Sequence, residues 1–553
     1  MTRLTHLAAL ASPARPRLPS LAALGLFALL LSACPPTGIV CRAGTVRCGD
    51  GCIDPAADKL NCGACGIACA TGQVCSNSAC QCQADSQLCG GACVVTASDA
   101  KHCGTCDHAC ATGQVCEAGQ CKATCTLGVT VLCGSSCVDL HTDVGHCGTC
   151  EVACQSGQSC RGGRCTYDVV AACSSSGQVV GVQATSEVRG PREPMGTGPA
   201  ALASFDDVLL AADGIDKRLY QANLRGPANL LASYATYNGI GAVANQVLVD
   251  KPYVYVVNAE TGTLQVLQQG VVADGGVGMT DAGLTGGLVL ATVAELPLGA
   301  NTYPEGMAKV GSSLWIPLYG GYTAATAGAG QKVVRVSVAD PTNPVLTADV
   351  VDLTALDLHA FDGGAPLPRP AAITVHQGML YVVLNNLDLG YAAAGSGLLA
   401  RIDPTTKQAS VVDLGASTCL DPQWLASDGQ RLVVSCMGRA TYDMNYALVG
   451  TEKSGLVMVV NDAVVASWSP TPCAVLADGG AGCPPALPGR FALQDGRVYL
   501  GDQNGGRVYV LDVSATGFGE RRGYAGDAGE PVYACPVDAT TGYGNVSDVL
   551  AVP

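Results

Sequence analysis

The chain has 553 residues, enough for two or more domains, and carries a formal net charge of −15. Few residues are charged (14%) or aromatic (5%), and the 70 glycines suit tight turns and strands better than helices. The acidic balance argues against nucleic-acid binding, which needs a basic face, so we predict no nucleic-acid partner.

Residues 1–33 have the pattern of a signal peptide. Arg3, Arg15 and Arg17 form a basic region, and an apolar stretch of 13 residues follows from Leu21 to Ala33. This stretch is too short to cross roughly 30 Å of hydrocarbon, so we expect an export signal and not a membrane anchor. No later segment approaches 18 consecutive apolar residues, and none is predicted to span a membrane.

The signal segment ends in Leu31-Ser32-Ala33-Cys34, which resembles the lipobox of bacterial lipoproteins. The resemblance implies cleavage before Cys34, lipidation of Cys34, and a lipidated linker over residues 34–40. The alternative is an ordinary signal peptide in which Cys34 has no special role. Acyl chains contribute about 0.8 kcal/mol per buried CH₂, so several on one cysteine would anchor the protein to a membrane. Pro35 after the cysteine leans, in that family, toward the outer membrane, so the expected location is the cell envelope.

Residues 41–165 contain three copies of one cysteine-rich unit. The successive cysteine spacings in residues 41–80 and 82–121 are both 7, 4, 10, 3, 4, 6 and 5, and residues 125–165 differ only in a first step of 8. The cysteines of the first repeat are Cys41, Cys48, Cys52, Cys62, Cys65, Cys69, Cys75 and Cys80. Those of the second are Cys82, Cys89, Cys93, Cys103, Cys106, Cys110, Cys116 and Cys121. Those of the third are Cys125, Cys133, Cys137, Cys147, Cys150, Cys154, Cys160 and Cys165.

Two chemistries use such spacings. The CxxC pairs resemble zinc half-sites, and three histidines lie nearby, namely His102, His108 and His146. Disulfides are the prediction, because export delivers the chain to an oxidising compartment, each unit has an even number of cysteines, and the histidines do not recur in all three. The pairing within a unit is left open.

Other matched positions of the repeats are interpreted as turn residues. Asp58, Asp99 and Asp143 each follow the third cysteine by six residues, where an Asx turn would be useful, with a calcium role as the alternative. Units of about 40 residues with few large apolar side chains need covalent cross-links to fold. The pattern C-G-x-x-C-(I/V)-x4-D-x2-(N/H)-C-G-x-C resembles the stigma-specific cysteine-rich family and repeats in bacterial lipoproteins. That resemblance covers residues 41–165 and implies an extracellular spacer or stalk without enzyme activity.

Residues 166–553 are predicted to form a β-propeller. A start pattern of Pro-x-x-apolar-(Ala/Thr), or a version lacking the proline, precedes hairpin-like pairs of strands. The seven starts are Pro199–Ala203, Ile240–Ala244, Pro304–Ala308, Pro370–Thr374, Pro422–Ala426, Pro488–Ala492 and Ser547–Ala551. A period of roughly 40 to 66 residues indicates blades of about four strands, with a β-sandwich or another solenoid as the alternative. The predicted fold is therefore all-β: a seven-bladed β-propeller preceded by three small disulfide-rich repeats.

The seventh start has no room for its own hairpin before Pro553. Tyr167–Ala172 and Gln178–Gln183 match the missing hairpin, so we predict one blade built from both ends of the domain. The same logic pairs Cys173 with Cys535 across the closure. Within single blades or loops, we predict the disulfides Cys419–Cys436 and Cys473–Cys483.

No catalytic motif is found in the propeller region. His359 and His376 are interpreted as loop or strand-surface residues. The region is similar to YVTN-type and lactonase-like propellers, and the lactonases imply a calcium ion in the central tunnel. Glu305, Asp421 and Asn385 are the candidate ligands, whereas Arg369 and Arg490 would stand at comparable positions and oppose a cation. We therefore predict no cofactor, with calcium as the alternative.

Glycine- and alanine-rich insertions at 268–302, 320–330 and 387–397, together with 438–455, are expected to share one face. Tyr442, Met444 and Tyr446 make 438–455 the predicted contact surface, with a solvated loop as the alternative. The leading hypothesis is a non-enzymatic envelope lipoprotein that displays a propeller head on a disulfide-rich stalk and binds a protein or a glycan. A calcium-dependent propeller hydrolase such as a lactonase is the alternative.

Overall fold

The computed structural model describes residues 46–552 with gaps at 49–50, 54, 57, 71–72, 77, 83–85, 112–113, 123–124, 126–129, 135, 156–157, 184–187, 227–229, 271–278, 281–282, 285–287, 363, 445–447, 471–484, 521–531 and 537–543. These residues divide into two compact units, one ending at Val138 and the other starting at Asp139. The predicted signal peptide, Cys34, Cys41, Tyr446 and the pair Cys473–Cys483 lie outside the described residues. In the part of the chain that is described, no helix is long and apolar enough to cross a membrane.

The first unit consists of short antiparallel hairpins. Their paired strands are Val46–Cys48 with Gly51–Ile53, Gln73–Ser76 with Ala79–Cys82, Gln87–Cys89 with Ala92–Val94, Val115–Glu117 with Gln120–Lys122, and Val131–Cys133 with Ser136–Val138. A parallel pairing of Ser136 with Cys116 joins the last two hairpins into one sheet. The unit buries few side chains other than cysteines.

The matched non-cysteine residues of the repeats shape turns. The Oδ1 atoms of Asp58, Asp99 and Asp143 each accept a backbone N–H two residues further on, as an Asx turn requires. Gly104 has φ +77°, and a Cβ there would lie 2.5 Å from the carbonyl oxygen of Gly119, so only glycine fits. The repeated aspartates are therefore engaged with backbone amides.

The disulfides supply the connectivity that spacing alone left open. In the second repeat, the first cysteine pairs with the third, the second with the fifth, the fourth with the seventh, and the sixth with the eighth. These bonds are Cys82–Cys93, Cys89–Cys106, Cys103–Cys116 and Cys110–Cys121. The bonds described in the other repeats follow the same order: Cys48–Cys65, Cys62–Cys75, Cys69–Cys80, Cys125–Cys137, Cys147–Cys160 and Cys154–Cys165.

The pairing speaks against the zinc alternative. In the first two repeats the two cysteines of each CxxC bond to different partners, so neither CxxC acts as one chelating pair. Among the described residues, the groups close enough to hold a metal consist only of cysteines that are already in disulfides, such as Cys103, Cys110 and Cys121. A thiolate is needed to bind zinc, and a disulfide sulfur does not provide one.

Replacing Cys103 and Cys116 together with serine is expected to unfold the second repeat. The bond spans 13 residues, and losing its constraint on the unfolded chain costs about 3 kcal/mol, more than such a small core can offset. Limited proteolysis read by mass spectrometry should then show new cleavage within residues 82–121. The same double substitution at Cys419 and Cys436 is the control and should leave that region protected; cleavage in neither variant would contradict the argument.

In its described residues, the second unit contains seven antiparallel sheets of four main strands, six of them from consecutive chain segments. Blades 1 to 3 are Pro199–Phe205, Val208–Asp213, Arg218–Asn223, Ser233–Asn238; Ala244–Asp250, Tyr253–Asn258, Thr263–Gln269, Leu290–Pro297; and Ala308–Val310, Ser313–Leu318, Lys332–Ser337, Val345–Asp352. Blades 4 to 6 are Pro370–His376, Met379–Leu384, Leu398–Ile402, Ala409–Asp413; Pro422–Ser427, Leu432–Cys436, Gly455–Val460, Ala463–Trp468; and Pro488–Gln494, Arg497–Asp502, Arg507–Val513, Phe518–Glu520. Short extra strands are Arg225–Gly226, Met279–Thr280, Gly283–Leu284, Arg439–Tyr442, Leu448–Glu452 and Val532–Tyr533, and one 3₁₀ turn covers Ala327–Ala329.

Blade 7 closes the ring with strands from both ends of the domain. Its inner strand is Val546–Ala551, which pairs with Val169–Cys173; Gln178–Gln183 and Val188–Pro194 complete the sheet. First strands of neighbouring blades contact one another around the axis, and apolar side chains fill the spaces between blades. The seven-bladed propeller predicted from the sequence is confirmed, and its closure follows the predicted scheme.

Two of the predicted starts are displaced. The first strand of blade 2 begins at Ala244 and not at Ile240, and in blade 3 only an isolated bridge from Pro304 to Leu318 precedes the strand Ala308–Val310. In both places the apolar start pattern lies a few residues before the first strand of the blade. The pattern therefore indicates the segment that leads into the inner strand, and not the strand itself.

The end of the third repeat is built into the propeller unit. Its hairpin, Ser159–Arg161 with Arg164–Thr166, continues through Arg225–Gly226 from the edge of blade 1. Tyr167 is 1% exposed and packs against Gly181 and Gly190 of blade 7, where any Cβ would clash with its ring. The hairpin is therefore fixed to the propeller by a sheet and a buried ring.

Strand direction decides which loops share a face. Antiparallel strands alternate in direction, so connections between blades and connections between second and third strands end on one side, here called the upper face. Segments 320–330, 387–397 and 438–455 are second-to-third-strand connections and lie there. The expectation for 268–302 is wrong, because this segment joins the third and fourth strands of blade 2 at the opposite face and includes Leu290–Pro297 itself.

Candidate functional site

One arginine crosses the central axis of the propeller. Arg490 lies on the inner strand of blade 6, and its Nη2 donates to the carbonyl oxygen of Asn245 in blade 2 at 2.5 Å. Its Nη1 lies 3.6 Å from Asp548 in blade 7 and 3.5 Å from the carbonyl oxygen of Ala200 in blade 1. The guanidinium also stacks on Trp424 of blade 5, with Cζ 4.6 Å from the ring centroid. One side chain that touches the inner strands of four other blades must lie in the tunnel.

Asp548 is the counter-charge of this arginine. The carboxylate is 7% exposed and accepts the backbone N–H of Leu202 at 2.8 Å. Burial raises the pKa of Asp548 above its ordinary value, and the Arg490 guanidinium opposes that rise. The pair places one positive and one negative charge at the axis.

The candidate calcium ligands are held apart into two hydrogen-bonded groups. Asn385 and Asp421 are brought together, and the Asn385 amide donates to Asp421 Oδ1 at 2.6 Å. Glu305 instead accepts from the side-chain amide of Asn245 at 2.7 Å. Because the amide of Asn385 turns its NH₂ group toward the carboxylate, the pair is arranged as donor and acceptor and not as two oxygens converging on a cation.

Arg369 occupies a different place from Arg490. It precedes the inner strand of blade 4 on the upper face and is 0% exposed. Its Nη1 donates to the carbonyl oxygen of Gly321 at 2.9 Å, and its backbone N–H donates to Gln331 Oε1 at 2.7 Å. Within the part of the chain that the structure describes, its Nε and Nη2 have no hydrogen-bond partner and it forms no ion pair.

Two tyrosines stack on this buried arginine, and two more pack against them. Cζ of Arg369 lies 4.9 Å from the ring centroid of Tyr319 and 5.0 Å from that of Tyr391. Tyr322 lies 5.7 Å from Tyr391 and 4.7 Å from Tyr303, centroid to centroid. We call Arg369 with these four tyrosines the tyrosine cluster. Its residues come from four connections of the upper face: those that precede blades 3 and 4, and those between the second and third strands of these two blades.

Several residues in and around the tyrosine cluster have a strained backbone. Non-glycine residues with left-handed backbone on this part of the upper face are Tyr303 (φ 47°), Gln331 (φ 65°), His359 (φ 46°), Arg369 (φ 50°), Asn386 (φ 55°), Tyr391 (φ 65°) and Asp421 (φ 44°). Such conformations cost about 1–3 kcal/mol each and persist where the surroundings enforce them. Strain of this kind is typical of functional sites.

The histidines occupy two different environments. His359 lies in the connection before blade 4 and contacts Asp413, Nδ1 to Oδ2, at 3.0 Å. His376 is 4% exposed and bonds to Ser427 Oγ at 2.8 Å, so the expectation of a strand-surface residue is wrong for it. Burial lowers the pKa of His376. A polar cavity of about 270 Å³ lies beside it, where Tyr381 donates to Asp462 at 2.6 Å and burial raises the pKa of Tyr381 to about 12.

The predicted contact residues lie on a hairpin of the upper face. Arg439–Tyr442 and Leu448–Glu452 extend the second-to-third connection of blade 5. Tyr442 is 42% exposed and Met444 is 97% exposed. The predicted binding role of this hairpin stays a prediction.

The sequence did not single out the tyrosine cluster, because its members are 88 residues apart at the extremes and lie in unrelated motifs. The one usable signal was Arg369 before Pro370, since a charged residue at the entry of an inner strand is directed toward the ring.

Comparison with known proteins supports the description of the cysteine-rich region. The model of the stigma-specific STIG1-like protein family matches residues 75–124 and 117–168. This region is therefore Stig1-like, as its cysteine pattern predicts. No curated protein is significantly similar to the chain as a whole.

Solved structures resemble the propeller in fold. A candidate 6-phosphogluconolactonase from Bacteroides uniformis is 12% identical, covering 66% of this chain and 97% of its own, with a TM-score of 0.43. A second, from Bacteroides fragilis, is 11% identical, covering 70% and 97%, with a TM-score of 0.43. Apo AztD from Citrobacter koseri is 13% identical, covering 66% and 95%, with a TM-score of 0.38. We draw no conclusion about activity from similarities at this level.

Proposed function

We propose that this protein is a non-enzymatic binding protein of the cell envelope, lipid-anchored through Cys34, in which the upper face of the propeller recognises a glycan or a protein. The observation that carries the proposal is the gathering of long connections and tyrosines on one face. Tyrosines supply a large contact area at a low entropic cost, and loops on a rigid scaffold are where binding function usually lies.

The tunnel favours recognition over metal-dependent catalysis. A lactonase of the calcium type needs oxygen ligands that converge on the axis, and here Arg490 brings a guanidinium to that place. Asp548 and Glu305 are each engaged by a donor from another blade. The pair Asn385–Asp421 is the one place that keeps the calcium-dependent alternative worth testing.

The proposal predicts ligand retention without turnover. The purified full-length protein should be retained on a glycan array or on envelope extract, and replacing Tyr442 and Met444 with alanine should weaken retention about tenfold or more, as loss of exposed contact residues does. Alanine at Val345 and Leu346, two exposed residues on the outer strand of blade 3, is the matched control and should change nothing.

Two further measurements discriminate against the alternative. Calcium titration followed by calorimetry should show no stoichiometric binding, and a panel of lactones should show no hydrolysis above the uncatalysed rate. Calcium-dependent turnover that is lost on Asp421→Asn would replace this proposal with the lactonase.

A further inference from the structure

The guanidinium of Arg369 is buried without a counter-charge among the residues that the structure describes. Burying a cation is costly unless a carboxylate or several acceptors compensate it, and the N–H groups on two of its three nitrogens have no acceptor among the described residues. The contrast with two other arginines is direct: the buried Arg507 lies 2.6 Å from Asp502, and the largely buried Arg490 lies 3.6 Å from Asp548.

The two nitrogens without a partner are adjacent. Nε and Nη2 form the side edge of the guanidinium, with two N–H bonds pointing the same way, whereas Nη1 is taken by Gly321 and more weakly by Gly320. That edge matches the two oxygens of a carboxylate, which arginine binds through two parallel hydrogen bonds.

The surroundings suit a ring bearing one carboxylate. Tyr303, Tyr322 and Tyr391 are partly exposed and offer flat apolar faces against which the C–H groups of a sugar ring can pack, whereas Tyr319 is fully buried against the guanidinium. A single guanidinium balances one negative charge, so a phosphate dianion would leave charge uncompensated. The net charge of −15 also disfavours a densely charged polyanion.

The turn that carries Tyr391 can give access to Arg369. Asp388 Oδ1 accepts the backbone N–H groups of Gly390 at 2.7 Å and Ala392 at 2.9 Å, so the turn is held largely by its own hydrogen bonds. Leu389 at its tip is 47% exposed. These bonds remain when the turn moves as a body, and the ring contacts that Tyr391 makes with Arg369 and Tyr322 would be exchanged for contacts with the ligand.

We propose that the tyrosine cluster is a binding site for a carboxylate-bearing sugar, in which the Nε and Nη2 edge of Arg369 holds the carboxylate and the tyrosine rings pack on the sugar ring. This inference rests on the proposed function and names the ligand class for the upper face. The turn bearing Tyr391 opens to admit the sugar and closes over it.

The test is a calorimetric titration of the full-length protein with D-glucuronate, using D-glucose, glucose 6-phosphate and an N-acetylated dipeptide with a free C-terminus as comparisons. Glucuronate should bind with a dissociation constant of about 1 mM or tighter, and glucose should bind at least about tenfold more weakly, since it lacks the charge-assisted bonds. Arg369→Met should weaken glucuronate binding about 10- to 100-fold. Arg369→Lys keeps the positive charge but cannot form two parallel hydrogen bonds with a carboxylate, so it should weaken glucuronate binding about tenfold.

Arg335→Met is the matched control, because it removes a half-exposed arginine of blade 3 that is paired with Asp349. It should leave the affinity within about twofold, as a residue outside the site does. If the circular dichroism of Arg369→Met shows that this variant does not fold, the affinity of Arg369→Lys for glucuronate is the test. Absence of glucuronate binding, or binding unchanged in the folded Arg369 variants, overturns the proposal. Glucose 6-phosphate or the peptide binding more tightly than glucuronate also overturns it, in favour of a phosphate or peptide site.

Different results would refute the proposed binding function and the proposed carboxylate site. If the protein is retained on neutral glycans equally well with and without Arg369, the proposed binding function stands and the carboxylate site is refuted. Lactone turnover together with glucuronate binding that depends on Arg369 would remove the non-enzymatic function and keep the site.

Discussion

Replacing Cys173 and Cys535 together with alanine should lower the free energy of unfolding of the propeller by about 5–6 kcal/mol, because their disulfide closes a loop of 362 residues. The bond ties Val169–Cys173, at the start of the ring, to the segment before the closing strand Val546–Ala551. In the unfolded chain this cross-link removes far more conformations than a short one does. The measurement is denaturant unfolding followed by tryptophan fluorescence under non-reducing conditions.

Cys419 and Cys436 provide the matched control. They form a disulfide with nearly the same Cα–Cα distance, 5.4 against 5.3 Å, but with a separation of only 17 residues. Their double alanine variant should lose about 3 kcal/mol. Hydrogen exchange should also show faster opening of Val546–Ala551 only in the Cys173/Cys535 variant. Equal losses in the two variants, or an unchanged closing strand, would contradict the role given to the long bond.

Arg490→Met is expected to destabilise the propeller by about 3–5 kcal/mol at neutral pH, because it leaves the carboxylate of Asp548 buried without its cation. The loss should depend on pH in a defined direction. Burial holds the folded-state pKa of Asp548 above its unfolded value, and removing the arginine that opposes this shift raises the pKa further. A raised pKa means that stability is retained at low pH and lost as the pH rises through the folded value. The penalty of Arg490→Met should therefore shrink as the pH falls toward the unfolded pKa of aspartate, about 3.9.

Unfolding midpoints of the wild type and variant between pH 4.5 and 7.5 test this expectation. Adding Asp548→Asn to Arg490→Met should recover much of the loss at neutral pH, since the buried charge is then gone. Arg335→Met, which breaks a more exposed pair with Asp349, should cost less than about 1 kcal/mol. A penalty that does not change with pH, or that Asp548→Asn fails to relieve, would show that Arg490 acts through packing on Trp424 alone.

Sequence periodicity predicted the blades because a local signature lies at or shortly before the inner strand of each, with a proline in five of the seven. A proline followed by small apolar residues marks where the chain turns toward the axis, and the strand Pro370–His376 begins at the predicted residue. The closure of the ring by Val546–Ala551 was predicted from the number of start patterns. The seventh start has no hairpin after it, so its blade needs strands from the beginning of the domain.

Contacts between distant segments could not be predicted in the same way. Eight cysteines allow 105 pairings, and spacing alone does not choose among them. Arg490 was expected near the tunnel, but its partners come from four different blades and depend on how the ring closes. The burial of Arg369 likewise depends on Gly321 and Tyr391, whose positions are set by two separate loops.

Because blade 7 is built from both ends of the domain, the propeller cannot finish folding until the last strand is available. Since the innermost strand of blade 7 is Val546–Ala551, the earlier blades stay an open arc with an unprotected edge at each end until those residues arrive. If the chain crosses a membrane starting from its N-terminus, Cys173 reaches the oxidising side long before Cys535. For that interval Cys173 is a thiol among 24 cysteines of the repeats, so a catalyst that reshuffles wrong pairs would set the yield of active protein.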